Sequence, residues 1–65
     1  MFNVKAVKKW LIDHDMSQVD FAAFSGVPHP TLTRVLSGST PSLETFKRIQ
    51  SSTGLPYDDL ILPDL

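Results

Sequence analysis

Residues 17–38 read SQVDFAAFSGVPHPTLTRVLSG, and the fold turns on how that stretch divides. Ser17 is a good helix N-cap, and Asp20 three places on resembles a capping box, in which Glu or Gln is more usual. Phe21, Ala22 and Ser25 then fall on one face of a helix. Gly26 can take the positive φ that ends a helix and turns the chain. Beyond Val27, prolines at 28 and 30 suit a helix start and not its interior. Leu32, Val35 and Leu36 form the buried stripe of this second helix, and Gly38 closes it. The spacing predicts two short helices, about 17–25 and about 28–37, joined by a glycine-containing turn.

That arrangement is a helix-turn-helix, whose second helix in DNA-binding proteins enters the major groove. The wider chain resembles the Cro/C1-type (XRE) helix-turn-helix family of phage repressors and bacterial regulators. The residues that carry the resemblance are Met16-Ser17-Gln18, Phe21-Ala22, Gly26-Val27, Thr31-Leu32, Gly38, Pro41-Ser42-Leu43-Glu44-Thr45 and Gly54-Leu55. They extend over nearly the whole chain. The resemblance implies an all-α, compact five-helix bundle, a lambda-repressor-like DNA-binding domain over residues 1–65.

Length and composition agree with a small helical domain. A chain of 65 residues buries only roughly 60% of its unfolded surface, so a tight bundle or a dimer is expected. There is no cysteine, hence no disulfide framework, thiolate metal site or thiol nucleophile. A cytoplasmic setting in a bacterial host fits. No apolar run approaches the roughly 20 residues of a membrane span, and no signal-peptide pattern opens the chain. Neither a paired nucleophile and base nor a phosphate-cradling glycine loop is present, so no enzyme, cofactor or metal is expected.

Charge runs against the DNA reading. The net charge is −1, whereas phosphate neutralisation usually makes such domains basic. Lys5, Lys8 and Lys9 lie in the first twelve residues. Asp13, Asp15 and Asp20 follow, and Arg34 is then the one charge before Glu44. Binding by a monomer should therefore be weak and salt-sensitive.

In chain order, Asn3 can cap a first helix from about Val4 to His14, with Val4, Val7, Trp10, Leu11 and His14 on one face. Trp10 reads as core packing. The resemblance implies that Leu11 and Leu36 stand where many relatives carry a partly buried Arg–Glu pair. Replacing both partners by apolar groups is often neutral or stabilising, so the two leucines should meet in the core. Phe24 stands at a position that is commonly polar. It either folds over the edge of the core or marks an apolar patch for a protein partner.

On the second motif helix, the outward positions are Pro30, Thr33, Arg34 and Ser37, flanked by His29 and Thr31. The resemblance places base reading on His29, Pro30, Thr33 and Arg34. Arg34 can donate two hydrogen bonds to guanine O6 and N7. Phosphate positioning falls to Ser17, Gln18, Thr31, Ser37, Ser39 and Thr40, using hydroxyls, an amide and helix N-terminal N–H groups. Beyond Pro41, Ser42 caps a fourth helix with Leu43, Phe46, Ile49, Gln50 and Thr53 inward, ending at Gly54. Pro56 starts a short fifth helix to about Ile61, with Leu60 inward. Ile61, Leu62, Pro63 and Leu65 have too little chain to cover them. They are either a two-fold dimer contact, made from Ile61, Leu62 and Leu65, or a frayed end or linker of a longer repressor. The expected partner is double-stranded operator DNA bound by a homodimer. The alternative is an antirepressor, antitoxin or adaptor of the same fold that binds protein through the Phe24 region.

Overall fold

The computed structural model describes residues 1–62. Five helices follow in order: α1 (Val4–Asp13), α2 (Gln18–Ser25), α3 (His29–Leu36), α4 (Leu43–Thr53) and α5 (Tyr57–Leu60). Local chemistry sets most of their ends. Asn3 Oδ1 accepts from the Ala6 N–H at 3.2 Å, and Ser42 Oγ from the Thr45 N–H at 3.2 Å. Gly26 ends α2 at φ +79° and Gly54 ends α4 at φ +71°, where a side chain would be strained. Asp15 turns the chain between α1 and α2 at φ +55°, a region that Asp tolerates better than most residues.

One core joins these helices. Val7, Phe21, Leu32, Ile49 and Leu60 are completely enclosed, each from a different helix. α2 packs on α3 and α4, while α1 packs on α3 and α5. Leu11 and Leu36 are 5% and 3% exposed in this core, so neither is a stranded surface leucine. Trp10 is half-buried against the core, edge-on to Phe21 at 5.6 Å between ring centroids.

Three expectations need correction. Pro28 and Ser37 are caps, so α3 is two residues shorter than the periodicity suggests, whereas Ser17 caps α2 as expected. Leu43 is 70% exposed; it lies about 120° around α4 from Ile49 at 100° per residue, and Thr45 takes the inward place. Of the C-terminal apolar residues, Ile61 is partly covered, while Leu62 stays exposed. Phe2, buried, forms an antiparallel bridge with Ile61. The Asn3 N–H donates to Leu60 O at 2.8 Å and the Leu62 N–H to Met1 O at 2.7 Å. Ile61 is half-buried as a result, and Leu62 is 38% exposed. Pro63 and Leu65 lie outside the described residues.

Candidate nucleic-acid interface

α3 starts without help from a side chain. Pro28 is its N-cap and Pro30 sits in its first turn, with no side-chain cap bond. Ring geometry presets the backbone there, and burial of Leu32, Val35 and Leu36 holds the helix down. Everything else on α3 turns outward. His29, Pro30, Thr33 and Arg34 are exposed, and Thr31 is half-buried. Pro30, Thr33, Arg34 and Ser37 follow at helical spacing and make one stripe. An α-helix with its side chains is about 10–12 Å across, and a major groove about 12 Å wide admits it.

Arg34 sits in the middle of this stripe. Among the described residues the one ion pair is Glu44–Arg48, 3.1 Å apart on α4, and none of their carboxylates holds the Arg34 guanidinium. A shallow cleft of about 250 Å³ beside it is lined by Thr31, Arg34, Ser39, Thr40 and Ser42, among others. The structure thus gathers one base-reading candidate and three of the phosphate-positioning candidates along one wall.

The other candidates are differently placed. Ser17 and Asp20 form a reciprocal capping box: the Asp20 N–H donates to Ser17 Oγ at 3.1 Å, and the Ser17 N–H donates to Asp20 Oδ2 at 3.2 Å. Those two N–H groups are committed, and the Asp20 carboxylate adds a negative charge where a phosphate would approach. Gln18, half-buried, is the remaining polar group at that end. Ser37 donates its hydroxyl to Thr33 O at 2.8 Å, which leaves it no side-chain donor for a phosphate.

Two features escaped the sequence reading. Arg48 lies over the motif turn, where a Cβ on Gly26 would stand 2.8 Å from its Nη1. An apolar groove of about 680 Å³ runs past Pro41, Leu43, Phe46, Tyr57 and Ile61. Leu43, out of register with the inward stripe of α4, was the one sequence signal for it.

A helix-turn-helix family model matches residues 7–60. The chain belongs to the Cro/C1-type helix-turn-helix family. Neither the curated proteins nor the solved structures give a match. The Cro/C1-type family is one of DNA-binding regulators, typically without enzymatic activity. Among the described residues, no group of three or more His, Cys, Asp or Glu could hold a metal ion. No described helix is long and apolar enough to cross a membrane. The family's match starts at Val7, so Phe2 and Lys5 fall outside it.

Proposed function

We propose that residues 1–65 form a single domain that regulates transcription in the cytoplasm of a bacterial host, as a repressor of phage or prophage kind. It binds operator DNA by placing α3 in the major groove. The observation that carries this reading is the free, exposed Arg34 at the centre of an otherwise uncharged outward stripe. Its guanidinium donates to guanine O6 and N7. Pro30 and Thr33 offer apolar contact to a thymine methyl, and His29 reaches a base edge or phosphate. Gln18, Thr31, Ser39 and Thr40 fix the register on the sugar-phosphate strands.

Few cations face the duplex, so a second copy supplies affinity. The exposed Leu43, Tyr57 and Leu62 border the apolar groove and the Phe2–Ile61 pairing. A two-fold contact there sets two copies of α3 on half-sites about one helical turn apart, and the bound dimer occludes a promoter.

Selection of bound fragments from a random duplex pool, followed by titration at low and moderate salt, tests the reading. The wild type should bind with salt-dependent affinity. Arg34→Ala should remove about 1–3 kcal/mol of discrimination at one G·C pair without changing stability. A wild type that ignores duplex DNA at every salt concentration ends it.

A second reading rests on Phe24. Its ring lies 6.4 Å from that of Trp10, nearly parallel, yet the residue is 58% exposed. Val19 on the same helix is exposed too. Such a patch suits a protein partner of an antirepressor, antitoxin or adaptor. Phe24→Ala separates the roles: lost stability marks an edge of the core, whereas lost partner binding in a stable variant supports the second reading.

A further inference from the structure

The loop from Ser37 to Thr40 carries no charge, and Ser37 has turned its hydroxyl back onto α3. Neutral donors alone release no counterions from a phosphate and so add little affinity. A cation from elsewhere in the chain reaches this place. A cleft of about 330 Å³ is lined by Lys5 of α1 together with Gly38 and Thr40 of the loop. Thr40 also lines the cleft that holds Arg34, Thr31 and Ser39. The two clefts therefore adjoin at Thr40, and one continuous surface runs from Arg34 across the loop to Lys5, beside the apolar side chains of Met1, Phe2 and Leu62.

Lys5 is also electrostatically misplaced for the helix that carries it. It stands in the first turn of α1, which contains no acid, and there the helix dipole disfavours a positive charge. It is exposed and makes no ion pair among the described residues. Neither α1 nor a carboxylate among the described residues gains from it, so a local rule is broken with no compensation there.

We propose that Lys5 is a DNA-backbone contact: its ammonium neutralises a phosphate beside the 37–40 loop and supplies the charge which that loop lacks. The site rests on the DNA-binding reading above. Lys5 acts as a point charge on the phosphate and leaves base choice to α3.

The test is a salt titration of full-length protein on the duplex selected by the wild type, with Lys5→Gln, Lys5→Arg and Lys9→Gln in parallel. Lys9 lies in a different cleft, shared with Asp13, Asp58 and Asp59, and serves as the control. Lys5→Gln should make the slope of log affinity against log salt shallower by about 0.9 per protomer, with the preferred sequence unchanged. Lys5→Arg should keep the wild-type slope, and so should Lys9→Gln. A wild-type slope in Lys5→Gln overturns the Lys5 contact alone. An equal fall in Lys9→Gln overturns it as well, because the effect would then be one of net charge. Absence of binding by the wild type overturns the DNA reading and the contact with it.

Discussion

The two motif helices are equally long and begin in opposite ways. α2 opens with two reciprocal hydrogen bonds between Ser17 and Asp20, fixed by residues three apart. α3 opens on Pro28 with no side-chain bond at all. α2 is thus specified locally, and it would tend to start at the same residue in any context. α3 is specified by what lies beneath it, through Leu32, Val35 and Leu36.

Removing the support under α3 should have the largest effect. Leu32→Ala empties a completely enclosed site and should cost about 2–5 kcal/mol, read as a lower urea midpoint. Ser17→Ala should cost about 1 kcal/mol by deleting the cap of α2, measured in the same way. A larger loss from Ser17→Ala than from Leu32→Ala would reverse the contrast. Smallest of all is Pro28→Ser. It gives α3 the cap it lacks while removing a residue that restricts the unfolded chain, two effects of about 1 kcal/mol and opposite sign. The net change in stability should stay under about 1 kcal/mol. A large gain would mean that the start of α3 is under-determined in the native protein.

What was legible in the sequence follows the same division. The Ser17–Asp20 box, the Gly26 turn and the caps at Asn3 and Ser42 depend on neighbours within four residues, and each was readable from spacing. The burial of Leu11 and Leu36 could be read because each falls on the inward stripe of its helix. Phe2 and Ile61 pair across nearly the full chain, and nothing in local periodicity announces such a partner. Leu43 misled because an apolar residue next to a helix cap looks like the first rung of an inward stripe. Thr45, polar but buried with its hydroxyl oxygen 3.0 Å from Ser42 Oγ, took that rung. On the interface side, the outward face of α3 was legible from its inward complement. The commitment of the Ser37 hydroxyl to Thr33 O was not, since a hydroxyl's partner depends on rotamer and neighbours.

Trp10 is the sole tryptophan, stacked on the His14 imidazole at 3.8 Å between centroids, with Phe24 on the same indole. The protein therefore carries an intrinsic fluorophore where α1 meets α2, beside Phe21 and Phe24. Its emission should report melting of the bundle without any attached dye. An occupant covering Phe24 would shift that emission, so the spectrum reads occupation of this patch directly.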